Sequence, residues 1–530
     1  MARTEVDISQ LTLTSRKLGP HSEVDVLAVK SIIARHEQDM KKLDSEIEVL
    51  LHDVRKLQLD KHRHQKQIDL CKGLITLATR IPFEVLASVF ERCCREGYTR
   101  TPLAVSRVCS YWLKAASLPS VWSHLYIKTD TNNAIERTRL WLEKVRGGRL
   151  YITIDVGGDV APLPRIMDLL LAKSSQWRAL AITASQLVHA NHLLELCNVS
   201  TPELRTVRIS ASGESAPGDT SLAVIRRSIE EAPLLRSIQL SFDNTPAVGL
   251  LPNWITSLSL TFPAVSTQPL PVSDIVSVLE GLPDLSSLYL AFPHRRSRPI
   301  ELDNNTEHVA ILERLETITL VGPHDFNSIL THLLTPRATE LHLRFSLESY
   351  GYPHEPTGSW LLQYVEQSHP PLEVLDFRDL DILPEHFSTC LSALPRLKQL
   401  CIHESEVPDS VFKLLSASTG ICPALTHLDL RWCGQVTGQA LVELVESRLG
   451  APSSVSRIIQ VTVIHCAFVQ EDDIIELARR TMCRLLMQDT GDYCRPIGCC
   501  QNERYRRRMR NRQLHAKVHP GGQSIGRLVV

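Results

Sequence analysis

The chain has 530 residues, 43% of them hydrophobic and 22% charged, and a formal net charge of −1. That composition fits a folded chain with an ample core and excludes a global attraction to nucleic acid or to a membrane surface. No apolar run reaches the roughly 18 residues that a membrane-spanning helix needs, and the opening MARTEVDISQ lacks the basic start and apolar stretch of a secretory signal.

The 14 cysteines are scattered through apolar surroundings rather than set in a dense framework. This suits free thiols in a reducing compartment, so a cytoplasmic or nuclear location is expected. Two Asn-x-Ser/Thr patterns, at Asn198 and Asn304, are inert there.

Residues 1–25 carry no periodic signal and are expected to be disordered. From residue 26 to 76 the apolar residues recur in alternating steps of four and three, which is heptad spacing. Positions a are Val26, Ile33, Met40, Ile47, Val54, Lys61, Ile68 and Ile75; positions d are Val29, His36, Leu43, Leu50, Leu57, His64 and Cys71. A long helix with one apolar stripe must bury it, either against a second copy or by folding back on its own chain. Lys61 and His64 weaken the stripe near its end.

Residues 77–130 carry the densest set of signals. Pro82 suits a first helical position, and Leu86, Val89, Phe90 and Cys93 follow at helical spacing. After the polar link Arg95 to Thr101, Pro102 opens a second helix with Leu103, Val105, Val108, Trp112 and Ala115 on a common side. Pro119 opens an expected third, with Val121, Trp122 and Leu125. Three short helices bury little by themselves, so apolar surface should remain for a partner.

Ile81-Pro82-x-Glu84-Val85-Leu86-x-x-x-Phe90, Val108-Cys109-x-x-Trp112 and Pro119-x-x-Trp122 together resemble an F-box, closest to the F-box-like proteins of fungi in which a heptad-rich arm precedes the box. The resemblance implies a helical module that docks the Skp-type adaptor of a cullin-based SCF ubiquitin ligase. The adaptor contacts would come from Ile81, Pro82, Val85, Leu86, Phe90, Val108, Cys109, Trp112 and Trp122. Two departures stand out: the link Arg95 to Thr101 is longer than in the compact form, and Leu113 occupies a place where arginine is usual.

Between residues 131 and 485 the pattern L-x-x-L-x-L returns with loose substitutions. It runs from Leu204-Val207-Ile209 through Leu285-Leu288-Leu290 and Leu372-Leu375-Phe377 to Ile458-Val461-Val463, with Trp177-Leu180-Ile182 as an earlier member; successive starts lie 20 to 34 residues apart. Helical patterns fall between several of the triplets, such as Ser273 before Ile275 to Leu282 and Pro384 before Phe387, Leu391 and Leu394. The segment resembles a leucine-rich-repeat domain. The expected fold is therefore α/β: a long N-terminal helix, a small three-helix F-box-like module, and a solenoid with parallel strands on its concave face.

In such strands the residues beside the buried ones point to solvent and line up in columns. One column reads Arg344, Arg378, His403, Arg431 over four successive repeats, a ladder about 15 Å long at roughly 4.8 Å per strand. Its neighbour reads His342, Asp376, Cys401, Asp429. Two readings stand: the charges neutralise one another, or the guanidiniums hold an acidic or phosphorylated client peptide.

Residues 486–530 form a basic tail expected to be largely disordered; Arg479 to Lys517 holds eleven Lys/Arg against three Asp/Glu. It reads as an import signal or a solvated tail before a nucleic-acid patch. Cys494, Cys499 and Cys500 with His515 and His519 do not have a usual zinc spacing. Gly522-Gln-Ser524-Ile-Gly526 matches a nucleophile elbow but lacks the flanking strand and helix. No catalytic residue, metal or cofactor is expected. The composite reading is a noncatalytic substrate receptor, with a repeat scaffold that has lost adaptor docking as the alternative.

Overall fold

The computed structural model describes residues 23–75, 80–197, 199–211, 232–242, 245–246, 249–263, 270–292, 300–301, 309–322, 324–345, 356–379, 382–405, 407–464, 466 and 468–486. The expected disordered start and most of the basic tail, including its cysteines, histidines and Ser524, lie outside them. The chain divides into two units, residues 1–86 and 87–530.

The first unit is dominated by helix α1, Glu23–Ile75, whose 53 residues extend for about 80 Å at 1.5 Å per residue. The heptad positions explain its length, since glycine is absent until Gly73. Val29, Ile33, Met40, Leu43, Ile47, Leu50, Val54, Leu57 and Ile68 are all exposed, so the stripe is bare along the described part of this unit. No helix among the described residues is long and apolar enough to cross a membrane.

Helix α2, Phe83–Arg95, runs across the boundary between the units, and α3 and α4 follow as Thr101–Val105 and Ser110–Ala116. The expected second helix is thus two pieces broken at 106–109, with Cys109 extended before α4. The expected third helix is a single 3-10 turn, Pro119–Trp122, and Leu125 already belongs to a strand. A run of Val, Trp, Leu and Tyr alternating in burial favours strand over helix as soon as a neighbouring strand offers hydrogen bonds.

The rest of the second unit is one sheet of 14 strands, every pair parallel and in sequence order. The strands are β1 His124–Lys128, β2 Leu150–Val156, β3 Trp177–Ala184, β4 Thr206–Ala211, β5 Ser237–Ser241, β6 Ser257–Thr261, β7 Ser287–Ala291, β8 Thr317–Gly322, β9 Glu340–Phe345, β10 Val374–Arg378, β11 Gln399–His403, β12 His427–Arg431, β13 Gln460–Ile464 and β14 Met482–Leu486. The apolar triplets set the register: Ile238, Leu258, Leu288, Ile318, Leu341, Leu375, Leu400 and Leu428 are partners in turn across β5 to β12. Each of these side chains is at most 2% exposed, and each such burial contributes roughly 1.5–3 kcal/mol. A parallel neighbour requires a crossover, and the segments between strands supply helices such as Val272–Glu280, Pro384–Ser392 and Gly438–Leu449. The architecture is mixed α/β, a stack of leucine-rich-repeat-like units.

The sheet starts earlier than the repeat pattern does. β1 and β2 place Leu125, Ile127, Ile152 and Ile154 in the same buried columns, and β1 falls inside the segment read as F-box-like. Trp122 and Trp141 pack edge to face with centroids 4.9 Å apart, and both are buried, so the end of the helical segment covers the open end of the repeat core.

One turn position recurs in the repeats. The residue after the last column position donates its N–H to the end of the next strand: Phe242, Phe262 and Phe292 early, then Asp379, Glu404 and Trp432. Those last three have φ of 59°, 57° and 58°, a left-handed conformation that costs a non-glycine residue on the order of 1 kcal/mol.

Candidate functional site

The residues expected to meet an adaptor separate into two groups by burial. In the first unit Ile81 is half-buried, Pro82 and Val85 are exposed, and Leu86 is buried. The Pro82 carbonyl accepts from the N–H groups of Val85 and Leu86 at 3.0 and 3.1 Å, so the ring sits where a helix begins. In the second unit Phe90 is buried and its ring lies 5.0 Å from that of half-buried Trp112, tying α2 to α4.

Trp122 is inside as well, and its indole N–H donates to the Ala116 carbonyl at 2.6 Å. Phe90 and Trp122 therefore shape the helical segment of the second unit from within rather than present themselves to a partner, and Leu86 is buried too. The face left outside is different: Val89 is 48% exposed, Val108 59% and Leu113 49%, and Cys109 is exposed too. The break at 106–109 turns Val108 outward, away from the common side that helical spacing had assigned it.

The expected column of basic residues exists in register. Arg344, Arg378, His403 and Arg431 are successive ladder partners across β9 to β12, as are His342, Asp376, Cys401 and Asp429. Around them the outward face is zoned. Ser241, Thr261, Ser257, Ser259 and Thr319 make a hydroxyl-rich lane over β5 to β8, between Arg208 on β4 and the charges that begin again at β9.

Within the charged zone, carboxylates are interleaved with the cations. Asp376 Oδ2 accepts from His342 Nδ1 at 3.1 Å and from Arg344 Nη2 at 3.2 Å. Asp429 is clamped by Arg431, Nε to Oδ1 at 2.8 Å and Nη2 to Oδ2 at 2.7 Å. The His403 ring lies between the two, with Nδ1 3.9 Å from Asp376 Oδ1 and Nε2 3.4 Å from Asp429 Oδ1. Arg378 meets Glu404 at 3.7 Å.

The pKa values follow these partners. Burial pushes the Asp376 carboxyl up, but the hydrogen bond from His342 and the charges of His403 and Arg344 outweigh it and the value falls. Asp429 is likewise opposed by burial yet held down to about 2 by His403 and Arg431. His342 is raised, chiefly through its bond to Asp376. Cys401, between the two aspartates, is a buried thiol pushed up to about 11 by desolvation, and its sulfur accepts from Gln399 Nε2 at 3.2 Å.

The network is therefore largely self-neutralised, as the first of the two sequence readings has it. Part of each guanidinium nevertheless stays at the surface: the side chains of Arg344, Arg378 and Arg431 are 41%, 49% and 42% exposed. Sequence reasoning missed Glu404, although the dipeptides Arg378-Asp379 and His403-Glu404 carry a signal: two of the four basic column residues are followed at once by an acid. It also left Cys401 without a role, yet the donor atoms of Asp376, Cys401 and His403 lie within 4.8 Å of one another.

A second concavity lies at the opposite end of the sheet. A cleft of about 640 Å³ is lined by Cys94, Arg95, Gly97 and Thr99 of the long link and by outward residues of β1 to β4, among them His124, Tyr151 and Arg208. Its floor carries a stacked His124–Tyr151 pair, 4.6 Å between centroids, and burial lowers the His124 pKa. Burial raises the Cys94 thiol to about 11, and the thiol donates to the Val121 carbonyl at 3.5 Å, which leaves it a poor nucleophile.

No family model and no curated protein matches the chain. Among solved structures, one described as the crystal structure of a Rad7 and Elc1 complex in yeast is similar over 86% of this chain and 96% of that one, at 13% identity and a TM-score of 0.33. A likeness that low carries no argument about this chain.

Proposed function

We propose that the chain is a noncatalytic substrate receptor. Its helical segment, residues 81–125, docks the Skp-type adaptor of a cullin-based ubiquitin ligase, and the outward face of the repeat sheet holds a client protein near the site of ubiquitin transfer. The protein supplies proximity rather than chemistry.

The observation that carries this reading is the burial pattern of the helical segment. Phe90 and Trp122 are spent on internal packing, while Val89, Val108 and Leu113 stay about half exposed. The repeat sheet, by contrast, buries its apolar columns almost completely. Large apolar side chains left outside on a segment that is otherwise well packed are what a docking surface requires. For the client, the exposed parts of Arg344, Arg378 and Arg431 favour carboxylate or phosphate groups.

The test is co-precipitation of the full chain with a purified Skp-type adaptor. Val108→Asp and Leu113→Asp are exposed changes that leave the fold intact, and each should abolish capture. Adaptor capture that is undetectable in the unaltered protein removes the ligase reading and leaves a repeat scaffold without docking.

A further inference from the structure

We propose that Asp376, Cys401 and His403 form a binding site for a single zinc ion on the outward face of the sheet. Cys401 pairs with Asp376 across the ladder, and His403 follows two residues later on the same face. The donor set is one carboxylate oxygen, one sulfur and one imidazole nitrogen, a mixture that suits zinc better than the hard cations that prefer oxygen alone.

Two independent features point inward to such an ion. Asp376 is only 7% exposed, and its Oδ1, the oxygen not used by His342 and Arg344, has no hydrogen-bond partner. A buried carboxylate oxygen without a donor is costly unless something cationic meets it. Each donor also has a supporting neighbour. Asp376 is fixed through Oδ2 by His342 and Arg344 and Cys401 by Gln399, while Asp429, which Arg431 grips with two bonds, stands 3.4 Å from His403 Nε2. A carboxylate behind a ligating histidine is the arrangement that sets its tautomer, leaving Nδ1 free to bind.

Bonds of about 2.0 Å to oxygen and nitrogen and about 2.3 Å to sulfur put tetrahedral donors roughly 3.3–3.8 Å apart. The observed 3.9 Å between Asp376 Oδ1 and His403 Nδ1, within a set spanning no more than 4.8 Å, closes by side-chain rotation of less than about 1 Å. On binding, the Cys401 thiol releases its proton to solvent and the thiolate bonds the metal. Three protein donors leave the fourth position to water or to a ligand group. The guanidiniums nearby are committed to carboxylates, Arg344 to Asp376 Oδ2 and Arg431 to Asp429.

The experiment is a cobalt(II) titration of chelator-treated full-length protein, read by the thiolate-to-cobalt charge-transfer band. One equivalent should produce the band, Cys401→Ser should lose it, and Cys197→Ala, a buried cysteine elsewhere, should keep it. Asp429→Asn, which removes the carboxylate beside His403 and also the ion pair with Arg431, should weaken binding roughly 10–100-fold. Absence of the band in the unaltered protein, or its persistence in Cys401→Ser, overturns the proposal. If Cys401→Ser fails to fold, X-ray absorption on the zinc-loaded unaltered protein decides: one sulfur with nitrogen and oxygen neighbours supports the site, and a shell with no sulfur or several overturns it.

Discussion

Arg448 is the most informative residue to alter in the repeat core. It lies on helix Gly438–Leu449 and is 1% exposed. Its guanidinium donates to five backbone carbonyls: Leu415 at 2.7 Å, Ile421 at 3.0 Å, Cys422 at 3.2 Å, Leu425 at 3.3 Å and Ser456 at 3.4 Å. These lie in the loops of two repeats, so one side chain satisfies the irregular backbone that crossover segments leave behind. Burial lowers the Arg448 pKa, the expected cost of taking the charge out of water.

Arg448→Met keeps most of the volume and removes every donor. All five carbonyls lose this donor, but the Cys422 carbonyl retains the Leu425 N–H at 3.0 Å, so the cost is counted for the other four. At about 1 kcal/mol for each, reduced by no longer burying a charge, the net loss is roughly 2–3 kcal/mol. Because repeats couple mainly to their neighbours, the loss should be local. Native-state hydrogen exchange should show the opening free energy at Leu428 and Leu430 falling by that amount while β2 and β3 amides hold theirs. Unchanged protection at Leu428 and Leu430 would refute the argument that the guanidinium organises these loops.

Three further outcomes follow. Trp122→Ala removes the Trp141 contact and the bond to Ala116, and should lower unfolding free energy by roughly 3–5 kcal/mol in urea denaturation; a loss under about 1 kcal/mol would mean this tryptophan does not close the repeat core. The pKa of Asp429, depressed to about 2, implies stabilisation on the order of 2 kcal/mol in metal-free protein. That stabilisation is complete above the unfolded value of about 3.9 and is lost as pH falls through about 2, so the stability gap to Asp429→Asn should close over that window; a gap independent of pH would contradict the assignment. Leu43→Asp with Leu50→Asp should abolish self-association of α1 in sedimentation equilibrium, and an unaltered chain that is already monomeric would rule out pairing through this stripe.

The repeat sheet was legible because each buried parallel strand repeats the same apolar triplet, and the last two positions of the triplet are ladder partners from β3 to β13 without a slip. β2 escaped because Arg149 stands three positions before Ile152 where the other repeats have an apolar residue; Trp122-Leu125-Ile127 does fit the triplet, but it was assigned to the helical segment. The helical segment was half legible. Proline spacing placed α2 and α3, but periodicity could not reveal the break at 106–109 or the switch from turn to strand at His124, which depends on hydrogen bonds to β2. The basic column was readable as a column; that Asp376, Asp429 and Glu404 neutralise it depends on side-chain reach, which no spacing encodes.

The account rests on the helical segment meeting an adaptor with its exposed apolar side chains. Hydrogen exchange on the full-length chain, with and without a Skp-type adaptor at saturating concentration, tests this most directly. The prediction is slowed exchange confined to residues 88–95 and 105–116, with the sheet unchanged. Exchange unaffected by the adaptor, or slowed only over β9 to β12, would contradict it.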